Sequence, residues 1–111
     1  TAVTDGTAGG GALPAQTELL ENYPNPFNPA TTLRFALAAP ARARVVIHDV
    51  TGQRVRALVD GPAPAGLHEV LWDGRDDAGR NVASGVYVAV METSPAVGRV
   101  ATTARRMALL H

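Results

Sequence analysis

The stretch Asn22–Thr31, NYPNPFNPAT, decides how the rest of the chain is parsed. Pro24, Pro26 and Pro29 each fix φ near about −65° and remove a backbone donor, and each preceding residue is pushed to extended geometry. The path is rigid and non-helical, and it cannot lie in the middle of a sheet. Tyr23 and Phe27 place two of the five aromatic residues in it. Asn25 and Asn28, each followed by proline, are suited to capping local turns with their side-chain amides. Such an entry fixes where a first strand begins, which a plain linker has no need to do.

On its N-terminal side lies Thr1–Thr17, TAVTDGTAGGGALPAQT, small, polar and rich in glycine and alanine. It has nothing to bury and reads as a flexible linker, loosest at Gly9-Gly10-Gly11. The domain boundary is therefore expected between 1–17 and 18–111, with Glu18–Asn22 as a short first strand.

On the C-terminal side, short alternating segments are punctuated by turns. Thr31–Leu37 sets Leu33, Phe35 and Leu37 on one face and Arg34 on the other. Ala43–Val50 follows, with Val45 and Ile47 towards the core. Asp49-Val50-Thr51-Gly52 has the composition of a tight turn: Asp49 accepts backbone N–H groups and Gly52 tolerates φ > 0. Arg54–Val59 returns antiparallel as a hairpin. Asp60–Gly66, DGPAPAG, reads as a loop throughout. Leu67–Trp72 alternates again, with His68, Val70 and Trp72 opposite Glu69, and Asp73–Arg80 is a polar loop opening on Asp73 and Gly74. Gly85 starts Gly85–Glu92, the segment richest in strand-forming residues. Val100–Leu110 closes the chain with Met107 and Leu109 on one side. About seven short antiparallel strands with this spacing predict an all-β, immunoglobulin-like sandwich with Trp72 at its centre.

Composition narrows the function. The chain has 111 residues, ten of them basic and ten acidic, for a net charge of zero. No basic field favours nucleic acid. Cysteine is absent, which removes disulfides and thiolate chemistry. No apolar run approaches the roughly 20 residues that span a bilayer.

Candidate chemistry is sparse. The acidic loop from Asp73 to Gly79 suggests a calcium site, yet Arg75 occupies a ligand position and no bidentate glutamate closes it. A hairpin loop whose aspartates cap its own N–H groups is the preferred reading. His48 and Asp49, as strand neighbours, point to opposite faces and form no acid–base pair. His68 packs on the Trp72 face, and His111 is terminal. Ser84 has no nucleophile-elbow context. Without a paired nucleophile and base, a phosphate loop or a metal quartet, an enzyme is not expected, and neither is a cofactor. A sugar-binding platform of exposed aromatics is an alternative, although Phe35, Trp72 and Tyr87 lie in patterns that suit the core.

Taken together, NYPNPFNPAT, then IHDVTGQRV, then AGLHEVLWDGRDDAGRNVASGVYVAV and a closing RRMALL resemble the C-terminal sorting domain of type IX secretion substrates. They are equally similar to the immunoglobulin-like domain of flagellar hook-capping proteins, which shares the W-D-G-x-D-x-x-G-x-x-x-x-S-G-x-Y signature. The resemblance covers roughly Leu19 to Leu110. The ends favour the sorting domain, because both the P-N-P-F-N-P opening and the closing basic pair with its apolar strand are present. Two departures are the arginines where lysine is common and His48 where tyrosine is usual.

The resemblance implies a non-catalytic module at the end of a secreted multidomain protein, with cargo domains joined upstream. Such a module passes through the periplasm and is read by the type IX translocon in the outer membrane. A sortase-like peptidase then commonly cuts it off in the linker, leaving the cargo at the cell surface or in the medium. Pro24, Asn25, Pro26, Arg105, Arg106 and Met107 are the recognition residues it suggests, and Asp49, Gly52, Asp73, Gly74 and Gly85 hold the turns. The other class it allows is a structural module of the hook-capping type.

Overall fold

The computed structural model describes residues 14–110, and within them the chain is all-β. In order the strands are β1 (Glu18–Leu19), β2 (Thr31–Leu37), β3 (Ala41–Asp49), β4 (Arg54–Ala63), β5 (Gly66–Trp72), β6 (Gly85–Pro95) and β7 (Ala101–Leu109). They form two antiparallel sheets, β1-β2-β5 and β4-β3-β6-β7. This is an immunoglobulin-like sandwich whose fourth strand joins the larger sheet.

The period of two in the sequence builds the core directly. Leu33, Phe35 and Leu37 of β2 meet Val45 and Ile47 of β3, Tyr87, Ala89 and Met91 of β6, and Met107 and Leu109 of β7, all buried. Trp72 is fully enclosed. Its ring lies 5.5 Å from Phe27 and 5.3 Å from Tyr87, and its indole N–H donates to the Arg75 carbonyl at 2.9 Å. Aromatic contacts of this kind add to the burial of their surface.

Three sequence expectations need correction. The segment Asp60–Ala63 is not loop; it extends β4, pairing with Ala41–Arg44 of β3. β4 is an edge strand, so Pro62 can point its donorless nitrogen away from the sheet without cost to the ladder. The first strand stops at Leu19, because from there the chain turns into the proline knot. Asp73–Arg80 is not a hairpin loop, since β5 and β6 belong to different sheets and the segment crosses between them. The linker reading of Thr1–Thr17 falls mostly on residues outside those described, as does His111, but Thr17 is tied to the sandwich: its hydroxyl accepts from the Ala38 N–H at 2.9 Å.

Candidate functional site

The entry knot and the exit strand form one assembly. Its interior is held by polar contacts: the Pro24 carbonyl accepts from the Thr31 hydroxyl at 2.8 Å, and the buried Asn22 amide donates to that hydroxyl at 3.0 Å. The peptide bonds entering Pro24, Pro26 and Pro29 are cis. With the knot's shape fixed, Phe27 drops into the core against Trp72. The Phe27 backbone then pairs with β7 in parallel. Phe27 N–H donates to the Ala108 carbonyl at 3.0 Å, and Leu110 N–H donates to the Phe27 carbonyl at 2.9 Å. Asn25 completes the clasp, accepting from the Ala108 N–H at 3.0 Å and donating to the Arg106 carbonyl.

The Arg105-Arg106-Met107 segment separates once it lies in β7. Side chains alternate along a strand, so the two arginines face opposite sides. Arg105 turns inward, half-buried, and its Nε donates to the Leu19 carbonyl at 2.8 Å. Arg106 projects outward, exposed. Met107 is 1% exposed and belongs to the core, so it offers nothing to a partner of the folded domain. Pro24, Asn25 and Pro26 are exposed on the surface of the knot. The outer edge of β7 is not open at its C-terminal end, because the knot already occupies it.

Two turns frame the rest. The Asp49 carboxylate accepts from Thr51 N–H, Gln53 N–H and the Thr51 hydroxyl at 2.9, 3.0 and 2.6 Å. These bonds, the Thr51 hydroxyl foremost, hold its pKa below the ordinary carboxylate value. Gly52 has φ 88°, a region that costs other residues strain. In the loop after β5, Asp73 accepts from Arg75 N–H, and Asp76 accepts from Ala78 and Arg80 N–H. The Arg80 N–H is the main cause of the lowered pKa of Asp76. Gly74, φ 78°, is packed so closely against the knot that an added Cβ would lie 2.8 Å from the Pro29 carbonyl oxygen. Gly85 opens β6 opposite Leu109.

Asp77 has a task that the sequence did not suggest. It reaches across to β4, accepting from Ala57 N–H at 3.0 Å and from Arg54 Nε at 3.0 Å, while its own N–H donates to the Val55 carbonyl. The Ala57 bond chiefly lowers its pKa. This loop therefore covers part of the outer edge of β4. Its isolated D-D composition gave no hint of a partner more than a strand away.

The remaining candidates are structural. The His68 ring stacks on Phe35 at 5.0 Å and contacts the Pro64 carbonyl at 2.8 Å. His48 lies beside the Gly52 carbonyl at 3.3 Å. Among the described residues no three His, Cys, Asp or Glu side chains converge as a metal site. Of the five aromatic residues only Tyr23 is exposed, so no multi-ring platform for a sugar exists.

Comparison with known proteins agrees with this architecture. No curated protein matches the sequence. Among solved structures, dimeric latent PorU from Porphyromonas gingivalis resembles it with a TM-score of 0.68 at 20% identity, over 93% of this chain and 10% of that one. FlgD from P. aeruginosa gives 0.60 at 22% identity, over 71% of this chain and 60% of that one. PorZ, a surface component of the type-IX secretion system of Porphyromonas gingivalis, gives 0.52 at 26% identity, over 86% of this chain and 11% of that one. The chain thus spans about a tenth of the PorU and PorZ chains. The family model described as the FlgD Ig-like domain matches residues 27–96, from the phenylalanine of the knot to the end of β6. The chain belongs to the FlgD Ig-like domain family.

Proposed function

We propose that the chain is a non-catalytic C-terminal sorting module that directs a secreted multidomain protein through a type IX secretion system. The observation that carries this is the clasp between Asn25–Phe27 and Ala108–Leu110, which joins the two motifs that set sorting domains apart from hook-capping ones. Neither motif lies wholly within the part of the chain that the FlgD Ig-like model matches, residues 27–96. The likeness to PorZ, over 86% of this chain, supports the same assignment. Its partners are then the type IX translocon, a sortase-like peptidase and cargo domains joined upstream. Its route is the periplasm, then the cell surface or the medium.

Within this proposal the two arginines do different work. Arg106, exposed on the clasp, is the charge offered to a receptor, whereas Arg105 secures the fold. The test is to fuse the domain behind a periplasmic reporter in a bacterium with a type IX system. The reporter is expected in the medium or on the surface, and Arg106→Glu should reduce its export while circular dichroism stays unchanged. Undiminished export of that folded variant removes Arg106 from recognition.

A structural module of the hook-capping type is the second reading, favoured by the family match itself. A wild-type reporter that stays in the periplasm would put it first.

A further inference from the structure

The edges of the sandwich are closed in part by the chain itself, except one. β7 is covered by the knot at Ala108 and Leu110, and β4 is covered at Val55 and Ala57 by the Asp77 loop. The short β1 lies against β7, where Leu19 N–H donates to the Thr103 hydroxyl and the Leu19 carbonyl accepts from Arg105. β5 is the remaining edge.

The bonding pattern says which of its groups are unpaired. In β2, Thr32 exchanges backbone bonds with Tyr23, and the Arg34 carbonyl accepts from Leu20 N–H. These residues therefore aim their backbone groups towards β1. By the alternation of an antiparallel ladder, Leu33 and Phe35 aim theirs at β5, opposite Val70 and His68. Leu67, Glu69 and Leu71 are left with N–H and C=O groups directed out of the sheet, and no described residue bonds them. Natural sheets usually blunt such an edge.

The side chains at these positions match the open backbone. Leu67 and Leu71 are 49% and 61% exposed, flanking Glu69 on the outer face. On the inner side, Val70 of β5 and Val55, Leu58, Val59 and Ala63 of β4 pack on the core while remaining partly exposed. β4 and β5 are edge strands of opposite sheets, so this side of the core is only half covered.

We propose that β5 accepts one further strand, an extended segment of a partner protein carrying an arginine or lysine between two aliphatic residues. Its backbone pairs with Leu67, Glu69 and Leu71, its cation faces Glu69, and its inward side chains close over Val70. Glu69 has Arg34 of β2 opposite it on one side, and on its open side its charge favours a cation over a second copy. Two β5 strands paired antiparallel through the same three residues set Glu69 against its own counterpart, a like-charge pair that weakens the ladder. The site lies on the edge of the sheet that does not contain β7, and it does not depend on the sorting proposal.

The probe is a capped peptide, Thr-Val-Val-Arg-Val-Val-Thr, added to the whole chain and followed by amide hydrogen exchange and NMR shifts. In the free protein the Leu67, Glu69 and Leu71 amides should exchange far faster than those of His68 and Val70. The peptide should slow those three and leave β7 unchanged. Replacing its arginine with glutamate should weaken binding roughly fivefold, the scale of one cross-strand charge pair. Glu69→Lys should reverse the preference while His68 and Val70 stay slow, which shows the fold intact. The proposal is overturned if the three amides are already slow in dilute protein, or if protection appears only as protein concentration rises. It is equally overturned if binding is absent, ignores the central charge, or maps to another strand.

Discussion

The clasp side and the β5 side of this sandwich meet the same problem in opposite ways. Both present the last strand of a sheet, with backbone groups that have no ladder partner on one side. At β7 the chain supplies its own closure: a rigid, non-strand segment brings one backbone pair, one asparagine side chain and one phenylalanine ring. At β5 no such closure exists among the described residues, and two leucines stand in solvent. Stability is thus concentrated on one flank, and the other is spared for contact. Proline rigidity is what allows the closed flank to be built from so few residues, since little entropy is left to lose.

Substitutions should expose that asymmetry. The largest effect is expected from Phe27→Ala, which empties the space beside Trp72 and cuts the knot from the core. It should cost roughly 3–5 kcal/mol in chemical denaturation. A loss under about 1 kcal/mol would mean that the knot is not an anchor. Gly74→Ala comes next, at about 2–4 kcal/mol, because it adds backbone strain at φ 78° to a clash with the Pro29 carbonyl. An unchanged melting temperature would refute the close packing of loop on knot.

Asn25→Ala removes one acceptor and one donor from the clasp without touching the core, so about 1 kcal/mol is expected. Exchange of the Ala108 amide should accelerate in the same variant, and a protected amide would show that another group holds it. The smallest effect belongs to the open flank. Leu71→Thr should leave stability within about 0.5 kcal/mol of wild type. A loss of 2 kcal/mol there would abolish the contrast between the two sides, by making Leu71 a part of the core.

The fold class was legible because its signals are local. Alternation in Thr31–Leu37 and Gly85–Glu92, together with the D-V-T-G turn, is enough to call strands and a hairpin, and the sandwich follows. The C-terminal part of β4 was not legible, since Asp60-Gly61-Pro62-Ala63 has turn composition and only its place at an edge permits it as strand. The clasp was not legible either. It joins residues from the two ends of the described chain, and no periodicity reports such a pairing. The split of Arg105 from Arg106 was available in the strand's period of two, the same rule that separates His48 from Asp49, but a basic pair invites treatment as a unit. Met107 falls to the same rule, being two residues before Leu109 on the buried face.

The clasp also bears on how the polypeptide is made. Asn25 leaves the ribosome first, and the amide it must bind, that of Ala108, follows 83 positions later. Until then the knot lacks its β7 partner and β6 is bare along one side. Translation is slow beside the folding of most small domains, so the nascent chain waits in an incomplete state that chaperones and proteases recognise. β7 is therefore the last strand that the sandwich acquires during synthesis. Nascent chains halted before Ala101 should remain sensitive to protease, and those long enough to expose Leu110 beyond the exit tunnel should become resistant.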